Sequence, residues 1–157
     1  MSTLHTYKSK ITWTGNTGTG TADYKTYERS HIISIQNKAD IQATSDPAFR
    51  GDKTKHNPED LFLSALSSCH MLWYLHLCTT AGINVLSYED NPVGIMEESY
   101  NGSGKFTEVT LHPAVLITDT TQIDKANALH HEANKMCFIA NSCNFEVKHQ
   151  PSCTSNG

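Results

Sequence analysis

With 157 residues, 38% of them apolar, and a formal net charge of −4, this chain is long enough to bury a real core and is sized for one domain. Its 12 basic residues are outnumbered by 16 acidic ones and are dispersed, which excludes the basic stripe of a nucleic-acid surface. Met1 to Lys10 is polar and offers no apolar core for a signal peptide. The longest apolar stretch is interrupted by Ser64, Ser67, Ser68, His70 and His76, which argues against a membrane span. The expectation is one soluble, cytoplasmic domain over residues 1–157.

In chain order, residues 7–36 are rich in Thr, Tyr, Trp and Ile, with Gly15, Gly18 and Gly20 as punctuation. They predict two or three antiparallel strands, with His31 to Ile35 the clearest. Residues 37–56 are polar, contain Pro47 and Gly51, and predict a loop. Asn57 is a good N-cap, Pro58 suits the first helical position, and Asp60 sits where a capping box places its acid. Gly82 is a natural C-terminal stop. The intervening helix is about 36 Å long at 1.5 Å per residue. Being apolar on most faces, it is expected to be the buried central helix. Residues 83–100 and 105–118 read as strands around the hairpin signal Asn101-Gly102-Ser103-Gly104. Residues 121–140 return to helical spacing through Ile123, Ala126, Leu129, Ala133, Met136 and Ala140. A last strand, Phe145 to His149, precedes a polar tail. Strands, helix, strands, helix, strand make an α+β domain.

Five cysteines, Cys69, Cys78, Cys137, Cys143 and Cys153, form an odd set with no secretion signal, unlike a structural disulfide framework. Cys69 lies mid-helix. Phe62, Ala65, Leu66, Leu72, Trp73 and His76 fall near its azimuth at 100° per residue, so Phe62, Leu66, Trp73 and His76 are the candidate substrate-pocket residues. Cys78 is about 180° around and about 13.5 Å along the same helix. It cannot reach Cys69, because a disulfide needs Cα atoms within about 7 Å, and any partner for Cys69 must come from elsewhere. An apolar, mid-helix thiolate needs a cation beside it. The chain has two arginines, Arg29 and Arg50. Arg50 lies in the loop before the helix, and Glu59 could hold its guanidinium in a fork. Metal chemistry has little support. There is no Cys-x-x-Cys, and His131-Glu132-Ala133-Asn134-Lys135 lacks the second histidine of a zincin motif. No glycine loop precedes a helix to cradle phosphate, so neither metal nor cofactor is expected.

Several blocks together resemble the OsmC/Ohr family of thiol peroxidases, and its OsmC-like branch in particular. They are Asn57-Pro58-Glu59-Asp60-Leu61, Cys69 ten residues after Glu59, His131-Glu132 leading to Cys137-Phe138-Ile139-Ala140-Asn141-Ser142, and Asn144-Phe145-Glu146-Val147. The resemblance implies an α+β fold of antiparallel sheets around a long buried helix, in an intertwined homodimer with two active sites at the subunit interface. It implies reduction of organic hydroperoxides and, after each turnover, reduction of the enzyme by a dithiol of the lipoyl type. By position Cys69 corresponds to the peroxidatic cysteine and Cys137 to the resolving one, which implies a Cys69–Cys137 disulfide. Glu59 corresponds to the acid and Arg50 to the thiolate-activating arginine. The Ohr-like branch carries its arginine nearer the N-terminus, which leaves Arg29 as an alternative. The competing expectation is a non-catalytic protein of this fold that binds a small apolar ligand or senses redox state. The residues also bear on assembly. Glu59 and Cys69 are about 15 Å apart along one helix, with no Pro or Gly between them. A shared site therefore requires a helix break or a second copy, and the apolar helix favours a symmetric homodimer.

Overall fold

The computed structural model describes residues 3–156. Over the length that the sequence treats as one domain, the chain packs as two compact units, one up to Leu61 and one from Phe62 onward.

The first unit is built on a three-stranded antiparallel sheet in which β1 (Lys10–Trp13) pairs with β2 (His31–Ser34), and β2 with β3 (Ile41–Ala43). β3 corrects the expectation of a loop over 37–56. Three residues among polar neighbours show no periodicity, and pairing with β2 is what makes them a strand. A 3-10 turn, Pro47–Phe49, follows. The Asp46 carboxylate accepts from the Ala48 N–H at 2.7 Å, and its carbonyl accepts from Gly51 N at 3.0 Å. Gly51 is required there, since a Cβ would meet the Ser45 carbonyl oxygen at 1.6 Å.

The long helix α1 (Pro58–Thr80) forms where the caps predict. The Asn57 side chain accepts from Asp60 N at 2.7 Å, and the Asp60 carboxylate accepts from Asn57 N at 3.3 Å, which closes the capping box. At the other end Ile83 N donates to Cys78 O and Gly82 N to Thr79 O, with Gly82 at φ +73°, a Schellman stop.

Beyond α1, four strands replace the two stretches read from sequence: β4 (Val85–Asp90), β5 (Val93–Glu98), β6 (Gly104–Leu111) and β7 (Pro113–Ile117). The hairpin between β5 and β6 turns at Gly102, φ +83°, as its signal predicts. α2 (Ile123–Met136) follows, then β8 (Val147–His149) and β9 (Ser152–Ser155). β9 corrects the expected polar tail, and the C-terminal strands add parallel pairs to the expected antiparallel sheets. After the crossover through α2, β8 joins β6 in parallel and β9 joins β7 in parallel. Two sheets result, ordered β4-β7-β9 and β5-β6-β8. Their division has a local cause. Pro92 separates β4 from β5, Pro113 opens β7 straight after β6, and Pro151 separates β8 from β9. Each proline lacks the N–H that would carry the ladder through. Asp90 secures the break. Its carboxylate accepts from His112 N at 2.6 Å and from the Ser67 hydroxyl of α1 at 2.5 Å.

The core of this unit is divided likewise. Leu66, Val109, Leu111 and Val147 form one buried cluster; Tyr74, Cys78, Ile83, Val115, Ile117, Ala126 and Ala133 form the other. α1 contributes the stripe Leu66, His70, Tyr74 and Cys78. Ser64, Ser68, Leu72 and His76 are exposed, Leu72 to 64%. The expected buried central helix is therefore fully buried along one stripe only, since one copy of the chain covers one side of it. By length and mean hydropathy, 1.3, α1 could also cross a bilayer. Its buried stripe packs in the two core clusters, as in the core helix of a globular unit.

Candidate active site

Two thiols meet in the second unit. Cys69 projects from the middle of α1 and is half-buried, whereas Cys137 caps the C-terminus of α2 and is 1% exposed. The Cys137 thiol is pushed up to about 11, first by burial and then by a hydrogen-bonding interaction with the Cys69 sulfur. The Ala140 N–H, 3.4 Å from the Cys137 sulfur, pulls weakly the other way. At neutral pH Cys137 is therefore a protonated thiol beside Cys69, and both are free. The loop after α2 shapes this contact. It turns back at once, with Asn141 N donating to Cys137 O at 2.9 Å.

Leu72, Trp73 and His76, all within two turns of Cys69 on α1, line an open cavity of about 260 Å³. The Trp73 ring meets His76 and Phe138 edge-on at 5.8 and 5.7 Å. Trp73 and His76 are thus at a cavity, as the helix azimuth suggests. Phe62 and Leu66 lie elsewhere. Leu66 is fully buried, and Phe62 packs against Phe106 and Phe145 beside it. The reason is position along the axis: Phe62 and Leu66 stand one to two turns before Cys69, where α1 packs in the Leu66 cluster, whereas Trp73 and His76 stand one to two turns after it.

The two arginines and Glu59 belong to the first unit. Arg29 is committed locally. Its Nη1 and Nη2 donate to the carbonyls of Tyr27 and Tyr24 at 2.6 and 2.8 Å, and its guanidinium lies over both rings at 4.1 and 4.2 Å. Arg50 ends the 3-10 turn at φ 66°, a conformation that costs a non-glycine residue about 1 kcal/mol. Its guanidinium is 6.0 Å from the Tyr24 ring and forms no ion pair among the described residues. With Glu28, Arg29 and Asp52 it lines a polar cavity of about 280 Å³. Glu59 keeps one buried carboxylate oxygen without a hydrogen-bond partner among the described residues.

Sequence reasoning missed a cluster of buried histidines. His70 and His130 are both fully buried, and the Nε2 of one lies 3.0 Å from the Nδ1 of the other. His149 lies 5.7 Å from the His70 ring, and Tyr74 stacks on His130 at 3.8 Å. A signal existed. His130 shares the α2 stripe with Ala126, Ala133 and Cys137, and His70 shares that of Leu66 and Tyr74 on α1. Among the described residues no group of three or more His, Cys, Asp and Glu side chains is arranged to hold a metal. Of the other thiols, Cys78 is buried and pushed up by that burial, with Cys153 of β9 as a neighbour. Cys143 donates to Ile139 O at 3.3 Å.

Comparison with known proteins gives this arrangement a context. No curated protein matches the chain. Among solved structures, it is similar to an OsmC-like protein of unknown function from Vibrio cholerae O1 biovar eltor, at 30% identity and a TM-score of 0.85. That match covers 95% of this chain and 100% of the other. An organic hydroperoxide resistance protein from Elizabethkingia anophelis has the same fold at 20% identity and a TM-score of 0.70, covering 99% and 100%. The organic hydroperoxide resistance protein OhrB of Bacillus subtilis does so at 21% and 0.62, covering 93% and 98%. The family model described as OsmC-like protein matches residues 51–152, from just after the 3-10 turn through the first residue of β9. The chain, with its paired thiols on α1 and at the end of α2, therefore belongs to the OsmC-like family.

Proposed function

We propose that this protein reduces organic hydroperoxides to alcohols through Cys69 and Cys137. The observation that carries the reading is the half-buried Cys69 thiol set against the buried Cys137 thiol, with an open apolar cavity on the same stretch of α1. The names of the Elizabethkingia and Bacillus structures support the substrate class.

The Cys69 thiolate attacks the distal peroxide oxygen. The O–O bond breaks, and the alkoxide takes a proton and leaves as alcohol. The sulfur, oxidised by two electrons, becomes a sulfenic acid. Cys137 then attacks that sulfur. Its proton and the sulfenic hydroxyl leave as water, and a Cys69–Cys137 disulfide forms. A dithiol reductant opens the disulfide by exchange and is itself oxidised. The apolar walls of Leu72 and Trp73 suit an alkyl or aryl tail.

Arg50 and Glu59 complete the reading through a symmetric homodimer, in which the arginine and acid of one copy serve Cys69 of the other. α1 is unbroken from Pro58 to Thr80, so a helix break cannot bring Glu59 to Cys69 within one copy. The Glu59 oxygen and the Arg50 guanidinium, which have no hydrogen-bond or ion-pair partner respectively among the described residues, and the exposed Leu72 and Phe138 support a second copy. Thiol titration before and after one equivalent of cumene hydroperoxide tests the chemistry. Loss of two thiols with release of one equivalent of alcohol is expected. Unchanged thiols would leave the non-catalytic, ligand-binding reading in its place.

A further inference from the structure

The seam between the two apolar clusters is filled by polar rings. His70 lies on α1 between Leu66 of one cluster and Tyr74 of the other, and His130 meets it from α2. Both rings are fully buried and nearly parallel, with the His70 Nε2 and His130 Nδ1 3.0 Å apart. The outer nitrogens, His70 Nδ1 and His130 Nε2, have no hydrogen-bond partner among the described residues. The placement in the chain matters as much as the contact. His70 follows Cys69 directly, and His130 stands two turns before Cys137 on the same buried stripe of α2.

We propose that the His70–His130 pair is a positioning device for the two thiols, a directional bond that fixes the register of α1 against α2 and so holds Cys137 beside Cys69. This rests on the thiol chemistry proposed above and adds residues that touch neither substrate nor sulfur. The packing around the pair gives the reason. α2 presents Ala126 and Ala133 to the core, and such short side chains let one helix slide against another. A buried hydrogen bond does not, because any slip leaves both partners unsatisfied in a dry seam. With both rings neutral, one proton lies between the facing nitrogens and the other sits on an outer nitrogen. The bond cannot survive a proton on both facing nitrogens. The surroundings oppose that charge. Tyr74 of α1, Tyr88 of β4 and His149 of β8 face the pair, and none is anionic at neutral pH. Asp90 lies by Tyr88 and His131 by His149, each one group removed, with Glu132 beyond His131. Burial and the neighbouring histidines accordingly hold His70 at about 4 and His130 at about 3.

The test uses 2,2′-dithiodipyridine on the full chain with Cys143 and Cys153 replaced by serine. Cys69 opens the reagent and releases one pyridine-2-thione. Cys137 then attacks the mixed disulfide, loses its proton and releases the second. The first phase reads Cys69, and the second reads how well Cys137 is placed. His130→Leu removes the bond. His130→Asn keeps a polar atom where Nδ1 was but does not titrate. We expect His130→Leu to slow the second phase by about ten-fold or more, since small misplacements of reacting groups cost about that. The first phase should stay within about two-fold, and His130→Asn should recover most of the second. A wild-type second phase in His130→Leu, or equal slowing in the leucine and asparagine variants, would overturn the proposal. If His130→Leu does not fold, the bond is removed from the α1 side instead, and His70→Leu is compared with His70→Gln, which keeps an atom at the Nε2 position. The second phase should be slowed by about ten-fold or more in the leucine variant alone, and equal rates in the two variants would overturn the proposal. No peroxide enters this assay. A protein inert to cumene hydroperoxide but fast in ring closure would refute the peroxidase reading and leave the pair standing.

Discussion

Cys69 and Cys137 divide the proposed chemistry between a half-buried attacker and a buried resolver whose proton is held at neutral pH. Cys69→Ser should abolish peroxide consumption. Cys137→Ser should allow one turnover and leave a sulfenic acid on Cys69, trapped by dimedone and read by mass. Multiple turnover in Cys69→Ser would exclude the scheme. The arginines separate by their surroundings. Arg29 is bonded to two carbonyls and stacked on two rings, so Arg29→Met should lower stability by about 1–2 kcal/mol. Arg50→Met should leave the urea midpoint near wild type and slow Cys69 oxidation by about ten-fold or more, the scale of losing one stabilising charge. Reversed effects would place Arg29 at the thiolate. Both residues stand out in the sequence as the only arginines. Their different fates do not, because the Tyr24 and Tyr27 contacts depend on how that loop folds.

At the scale of elements, α1 was the most legible feature, since its caps are local interactions written in Asn57, Pro58, Asp60 and Gly82. Asn57→Ala should cost about 1 kcal/mol by removing the acceptor for Asp60 N, measured as a lower urea midpoint at unchanged slope. No change would mean that the cap contributes nothing to the stability of the unit. β3 and β9 were not legible. Each is short, β3 set among polar neighbours and β9 itself mostly polar, and each exists because a partner strand offers hydrogen bonds. The proline breaks at residues 92, 113 and 151 were present in the sequence. Their common meaning emerged only when pairing placed them side by side.

For the whole molecule, the buried histidines make stability depend on pH. Both are held below the ordinary value of 6.5, at about 4 and about 3. As pH falls below 6.5, the unfolded chain takes up protons that the folded one refuses, so stability is fullest above that value and declines toward pH 3. The urea midpoint should fall between pH 6.5 and 4, and less steeply in a His70→Gln, His130→Asn double variant. Equal slopes would mean that other groups govern the decline. Assembly can be read from activity. A mixed dimer of Cys69→Ser and Glu59→Gln chains should keep about half the wild-type activity, because shared sites put both lesions in one site and none in the other. A protein that sediments as a monomer and stays active at nanomolar concentration would rule out shared sites.

By itself the sequence determined what is local or strictly spaced: α1 and its caps, the hairpin at Asn101–Gly104, the α+β order, and the cysteine and Asn-Pro-Glu blocks that mark the family. Those signals act over a few residues, where capping, turn chemistry and periodicity operate. Tertiary structure decided what depends on residues far apart in the chain. It set Cys137 against Cys69, sent Leu66 into the core with Phe62 packed beside it while leaving Trp73 and His76 at a cavity, and joined β8 to β6 and β9 to β7 in parallel. It also brought His70 to His130 across 60 positions of sequence. A histidine on an apolar stripe is unremarkable until the element facing it presents a second one at hydrogen-bond distance, and only the packing of α1 against α2 determines that.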